Sequence, residues 1–356
     1  MALLFRGGQL LSQRSSFGRP VRHLAALATG DDGEWYLAIK YFVHSSESQA
    51  PTLRPTPILL FVLLPPVSKL GAQDVAVKMA ASPIGAAEMS GAGVVMATGS
   101  GVKGLSVDDL VVAKAPLGAF REVAKVPAAS LAKVPSTVPV EYAGVLGAPC
   151  TAAKLLEGVA AGSVVVQSGA ETLVGQAVVQ IAKAKGIRVV SIVSTNPDEE
   201  EVVDLLKAIG GAADIVVPDH YAVSWRFKAL LSDVPAPSLA IHYAAPLEDE
   251  SLAGAAEGKG ATISSLKTVV EKASPEDLTK LKITSMLKSM AGKSVTYGAG
   301  VEGTVAEEAA VDEVSAMISQ NQLALWLESY PTEDFDYVSK KAEGAFPGYR
   351  ALVLKF

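Results

Sequence analysis

The hydrophobic pattern changes character near residue 140. Between 36 and 124, short apolar runs cut by Gly and Pro recur at 36–43, 57–64, 74–82, 93–100 and 109–115. Runs rich in Val, Ile, Tyr and Phe and bounded by turn residues predict the strands of a small antiparallel, barrel-like unit. From about 140 onward, strand-like stretches at 164–170, 188–194, 213–219, 237–244 and 260–266 are interleaved with helix-like stretches at 174–186 and 197–211. Parallel neighbours need a crossover helix, so this alternation predicts an α/β fold with a doubly wound parallel sheet. A helix over 303–322 and strands over 323–330 and 350–356 then return the chain to the first unit. The expected division is an arm over 1–30, a β-rich unit of 31–150 completed by 326–356, and a Rossmann-like unit over 151–325.

One stretch of the second unit points to chemistry. Gln167-Ser168-Gly169-Ala170-Glu171-Thr172-Leu173-Val174-Gly175 follows the apolar run 163–166 and opens a helix. Val174, Ala177, Val178, Ile181 and Ala182 share one helical face, Lys183 and Lys185 sit in the last turn, and Gly186 supplies the stop. A strand, a Gly turn and a helix N-terminus together aim free amides and the positive dipole end at an anion, which suits a dinucleotide diphosphate. The candidate cofactor-binding residues here are Gly169, Ala170, Thr172, Val174 and Gly175. Two features weaken the pattern: its glycine spacing is poorer than G-x-G-x-x-G, and Glu171 would repel a pyrophosphate. The alternative stays open that Gly169 only makes a tight turn and Gly175 only lets the helix pack on the sheet.

Composition narrows the classes. The 356 residues are 49% hydrophobic and 19% charged, a globular balance. The greasiest run, 58–64, is closed by Pro65 and Pro66 and falls short of the ~20 residues of a membrane helix. A single cysteine, Cys150, forbids an internal disulfide and reads as core. His23, His44, His220 and His242 show no metal-ligand spacing, so no metal is expected. His242 is expected to be buried and hydrogen-bonded, and Trp225 and Trp326 to be packing anchors. Residues 1–30 hold Arg6, Arg14, Arg19 and Arg22 with no acid before Asp31, interleaved with Leu and Phe. That pattern predicts a mitochondrial transit peptide, with a retained basic arm as the alternative. The remainder is more acidic than the net charge of −6, which argues against a nucleic-acid partner.

The motif residues resemble the medium-chain dehydrogenase/reductase superfamily and, within it, the mitochondrial trans-2-enoyl-thioester reductases of fatty acid synthesis. The likeness rests on Ala148-Pro149-Cys150-Thr151-Ala152-Ala153-Lys154, on the 164–170 strand and turn with Val174-Gly175-Gln176-Ala177-Val178, on Gly99-Ser100-Gly101-Val102-Lys103-Gly104 and on Gly118-Ala119-Phe120-Arg121-Glu122. It implies a GroES-like domain enclosing the Rossmann domain, NADPH as hydride donor, an enoyl thioester as substrate, and a homodimer joined through the Rossmann sheets.

Four departures from that pattern bear on activity. The family's longer loop with a proton-donating Tyr is absent between Gly85 and Ala92, so no catalytic residue is assigned there. Tyr142, the nearest substitute, reads as a packing residue. Ala148 replaces an Asn that helps position the cofactor. Ser194 and Asn196 stand where NADPH enzymes of the family place Arg. Asn196 with Pro197 and the acids at 198–201 reads as a helix start, and those acids oppose a 2′-phosphate. Tyr243 and Pro246 crowd the cofactor's approach. The leading expectation is therefore a catalytically degenerate member serving as an accessory subunit of a matrix assembly, such as a respiratory complex, among other mitochondrial protein subunits. The alternatives are an active NADPH-dependent 2-enoyl-thioester reductase, a quinone-reductase-like enzyme, and a dinucleotide-responsive sensor.

Overall fold

The structure, a computed structural model, describes residues 22–29, 35–42, 60–66, 70–84, 91–115, 123–194, 199–244, 274–298, 305, 308–344 and 350–356. The first three strands, β1 (Arg22–Thr29), β2 (Trp35–Phe42) and β3 (Leu60–Pro66), make an antiparallel three-stranded sheet. β1 therefore lies within the span read as a basic arm; residues 1–21 fall outside the described set.

β4 (Asp74–Pro83), β5 (Ala92–Thr98), β6 (Leu110–Ala113), β7 (Val123–Pro127) and β8 (Leu131–Lys133) belong to a second sheet. The parallel sheet follows, with β9 (Val164–Ser168), β10 (Arg188–Val193), β11 (Ile215–Pro218), β12 (Leu239–Ala244) and β13 (Ser294–Gly298) in the order β11-β10-β9-β12-β13. β14 (Leu327–Pro331) and β15 (Ala351–Lys355) return to the second sheet, whose order is β14-β15-β4-β5-β6-β8 with β7 paired to β4.

Nine helices are described: α1 (Val140–Gly144), α2 (Gly147–Leu155), α3 (Leu173–Ala184), α4 (Glu199–Ile209), α5 (Asp219–Ala222), α6 (Trp225–Leu230), α7 (Pro275–Met290), α8 (Ala309–Ser319) and α9 (Phe335–Gly344). The strands of the parallel sheet are covered on both faces, as their unbroken Val and Ile runs require. Val165 and Val189 face the core built with α2 and α3, while Val164, Val166, Val190 and Ile192 face Phe227, Ile283 and Leu287 of α6 and α7. The first of these cores runs on into the second sheet through Ala81, Ala92 and Val112.

Two buried glutamines of α3 fasten it to the segment that leads back into β14. Gln180 donates through Nε2 to the Ala324 carbonyl at 2.7 Å and accepts the Ala324 amide at 2.8 Å. Gln176 accepts the Trp326 amide at 3.4 Å. The Arg350 guanidinium lies 5.6 Å from the centre of the Trp326 ring and bridges Glu201 of α4 to Glu328 of β14.

Several sequence expectations need amendment. The helix expected over 303–322 is described only as Ala309–Ser319. α7 and β13 were not anticipated, although Ser274 followed by Pro275 is a legible helix start, and the Ser274 hydroxyl does accept the Asp277 amide at 3.1 Å. The strand expected at 260–266 lies outside the described residues. Trp225 is not a packing anchor: it is 75% exposed, because Phe227 supplies the core contact of α6 instead.

Candidate functional site

The parallel sheet reverses direction of winding between β9 and β12, and in such sheets the crevice at the carboxyl ends of the strands takes the ligand. β9 ends at Ser168 and gives way to Gly169 at φ +66°, a conformation that suits glycine. Thr172 caps α3: its Oγ1 accepts the Gly175 amide at 3.1 Å and donates to the Gly169 carbonyl at 2.8 Å. The Tyr297 hydroxyl on β13 stands 2.9 Å from Thr172 Oγ1 and 3.3 Å from the Gly169 carbonyl oxygen. The turn is thereby held from both sides. Gln167, fully buried, donates to the Gly175 carbonyl at 3.2 Å and to Ser191 Oγ of β10 at 3.0 Å, tying the first turn of α3 to the sheet.

The backbone of this turn fits a diphosphate. The first amides of a helix have no intrahelical partner; here Thr172 takes that of Gly175, while Leu173 and Val174 are buried in the first turn. A Cβ on Gly175 would come within 2.5 Å of both Ala170 Cα and the Gly169 carbonyl oxygen, so its glycine is required by packing. Gly169 is different. A Cβ there would meet Tyr243 Cβ at 2.4 Å, so the face that a dinucleotide approaches is narrowed by a tyrosine from β12. The Tyr243 and Tyr297 rings are 5.3 Å apart and tilted, and together they stand over the turn.

His242, the neighbour of Tyr243, is half-buried within a closed chain of hydrogen bonds. Its Nδ1 is 3.0 Å from Ser168 Oγ and its Nε2 2.8 Å from Thr284 Oγ1 of α7. Ser168 Oγ accepts the Tyr243 amide, and Thr284 donates to the Lys280 carbonyl. Those commitments leave the Ser168 proton for Nδ1 and require a proton on Nε2, so the neutral tautomer satisfies every member. Burial, with Lys288 nearby, lowers the His242 pKa to about 4. Cys150 is buried and its thiol is pushed up to about 12 by desolvation.

Of the expected cofactor residues, Gly169, Ala170, Thr172, Val174 and Gly175 are brought together at this turn, and Ser194 lies at the end of β10 beside it. Asn196 lies outside the described residues, as do 85–90, 118–122 and Pro246. Tyr142 packs against the main core, its hydroxyl reaching the Leu325 carbonyl at 3.5 Å. The sequence makes Glu171 a repulsive residue at this turn; the structure instead tucks it away at 3% exposure, with its charge disfavoured by burial. Among the described residues there is no helix long and apolar enough to cross a membrane and no cluster of three or more metal-ligating side chains.

No protein-family model matches the chain. Eight curated relatives match, each a mitochondrial enoyl-acyl-carrier-protein reductase. The protein of Rattus norvegicus is 31% identical over 261 residues, 67% of this chain and 64% of the relative. That of Dictyostelium discoideum is 39% identical over 164 residues, 44% of this chain and 46% of the relative. The human protein is 35% identical over 193 residues, 48% and 51%. The chain thus spans from about half to just under two thirds of the length of these relatives. Among solved structures, a quinone oxidoreductase of Pseudomonas syringae pv. tomato aligns with a TM-score of 0.56 at 22% identity, covering 84% of this chain and 96% of that one. The complex of Etr1p with NADP and crotonyl-CoA aligns at 0.57 and 15% identity, covering 90% and 95%. At these identities the structures establish the fold.

Proposed function

The chain is an enoyl-reductase-like member of the medium-chain dehydrogenase/reductase superfamily, and from that premise we propose that it reduces the double bond of a 2-enoyl thioester with a nicotinamide dinucleotide. The observation that carries the reading is the capped turn at the switch between β9 and β12, with Gly169 at φ +66° and Thr172 holding the Gly175 amide. The active-enzyme alternative takes precedence over the accessory-subunit expectation, because the matching relatives are all named reductases.

When bound, the nicotinamide supplies a hydride. The chain's own residues hold and shield. The N-terminus of α3 would hold the diphosphate, Thr172 and Tyr297 fix the turn, and Gln167 anchors it to β10. Tyr243, whose Cβ and ring both stand against Gly169, would border a bound nucleotide and exclude water on that side.

We further propose a mitochondrial matrix location, a dimer as the working form, and a division of the chain near residues 150 and 326. The relatives' names support the location, and a heterodimeric 2-enoyl thioester reductase of Candida tropicalis among the structural neighbours supports association.

The test is oxidation of reduced nucleotide by the purified chain in the presence of a short trans-2-enoyl-CoA. Turnover of ~1 s⁻¹ or faster is expected, abolished by bulky residues at Gly169 and Gly175. Absence of turnover with either NADH or NADPH would refute the reading.

A further inference from the structure

β9 and β12 separate where the crevice begins. Their parallel ladder runs from Val165–Leu239 to Gln167–Ile241, whereas β12 keeps its other neighbour, β13, as far as Ala244–Gly298. One residue past the shorter ladder a side chain takes over: Ser168 Oγ accepts the Tyr243 amide at 3.1 Å. Ser168 is 7% exposed and immediately precedes Gly169, so this bond ties β12 to the strand that leads into the turn.

His242 fixes the direction of that hydroxyl. Thr284 commits its proton to the Lys280 carbonyl and therefore accepts from Nε2 of the ring. That leaves Nδ1 to take the Ser168 proton at 3.0 Å and turns the lone pairs of Ser168 toward Tyr243. A serine against an imidazole also begins a nucleophile–base pair; here Thr284 stands behind the ring in the place of a carboxylate, and the serine oxygen is already held by an amide. The chain of bonds from α7 through His242 to Ser168 ends instead on the backbone of Tyr243.

The backbone matters because a ring turns about its own bonds and a β-carbon does not. A Cβ built on Gly169 meets Tyr243 Cβ at 2.4 Å, ahead of Cγ at 2.7 Å and Cδ1 at 2.9 Å. The narrowest point of the Gly169 face is thus set by where the strand stands, and no rotamer of Tyr243 relieves it. We propose that Ser168, oriented by His242, is the positioning residue that sets the width of the crevice by holding β12 against the Gly169 turn; its consequence for cofactor binding rests on the reading of that turn as a dinucleotide site. Without the hydroxyl, the end of β12 retreats from Gly169 and a nucleotide seats with less displacement.

The experiment is calorimetric titration of the full chain and its variants with NADPH, NADH and ADP-ribose, each variant checked for folding by circular dichroism. Ser168→Ala is expected to bind about two- to tenfold more tightly, the range that loss of one neutral hydrogen bond allows. Ser168→Thr, which keeps a hydroxyl, should restore the original affinity. In the Tyr243→Gly background, where no β-carbon remains to be moved, Ser168→Ala should change nothing. If Ser168→Ala does not fold, Ser168→Cys takes its place, filling similar space with a poor acceptor. Weaker or unchanged binding, a tightening that Ser168→Thr retains, or an equal effect in Tyr243→Gly overturns the assignment. A second arm needs no nucleotide: the fall in urea midpoint caused by Gly169→Ala should shrink in the Ser168→Ala background, because β12 then yields to the added methyl group, and an undiminished fall also overturns it. Failure of every nucleotide to bind, with that shrinkage present, would end the dinucleotide reading and leave the positioning role of Ser168 standing.

Discussion

Tyr243 lies across the face of Gly169, so close that a β-carbon built on the glycine would fall 2.4 Å from the Tyr243 Cβ. The strand–turn–helix that suits a dinucleotide is thus intact in its backbone and narrowed by one side chain. A nucleotide seated against the Gly169 face would displace the Tyr243 ring from its contact with Tyr297, a contact of aromatic pairs worth ~0.5–1.5 kcal/mol. Replacing Tyr243 with Ser is therefore expected to tighten dinucleotide binding about two- to tenfold, measured by titration calorimetry. Weaker binding in the variant would show that the ring contributes to the site rather than obstructing it.

The same pair sets the cost of a methyl group at the turn. Gly169→Ala places an L side chain at φ +66° and against Tyr243, and is expected to destabilise the chain by ~1–3 kcal/mol in urea unfolding. Combining it with Tyr243→Gly, which removes the β-carbon as well as the ring, should recover the steric part and leave the backbone part, a non-additivity that a double-mutant cycle reads directly. Strict additivity would mean that the two residues do not press on one another.

His242 makes stability depend on pH in a defined direction. Its folded pKa of about 4 lies below the usual 6.5, so between those values the unfolded chain binds a proton that the folded chain refuses. The stability is fully present above about pH 6.5 and declines as the pH falls toward 4. Urea midpoints measured across that window should fall with acidity, and Asn in place of His242 should flatten the fall. A slope unchanged by the substitution would assign the pH dependence to other groups.

Gln180 closes two hydrogen bonds with the backbone of Ala324, and its loss leaves both peptide groups without their partner. Gln180→Ala is expected to cost ~1–3 kcal/mol and to loosen the return of the chain into β14. Amide exchange at Ala324 and Trp326 checks it, since faster exchange there than elsewhere would locate the loss.

The sheet that carries the site was legible because its strands are buried on both faces and so run as unbroken Val and Ile. The capped Gly169 turn was legible because its chemistry is local. β13 was not: Ser294–Gly298 is an edge strand with exposed Ser294 and Thr296, and such a stretch has neither a continuous apolar run nor a clean alternation. The exposure of Trp225 is not legible in the sequence, because an aromatic residue on a six-residue helix faces inward or outward according to tertiary packing, and here Phe227 takes the inward place. The contacts that define the crevice, Tyr243 on Gly169 and Glu171 on Ser194, join different strands, and only the register of the sheet brings them together.

The central claim is that this crevice passes a hydride to an enoyl thioester, and label transfer tests it most directly. The purified chain is incubated with 4-deuterated NADH or NADPH and a short trans-2-enoyl-CoA, and the acyl product is weighed by mass spectrometry. A saturated thioester carrying one deuterium from the nucleotide, formed at ~1 s⁻¹ or faster and lost when Gly169 and Gly175 are replaced by bulky residues, is the expected result. Unreduced thioester recovered from a folded, nucleotide-bound chain would contradict it.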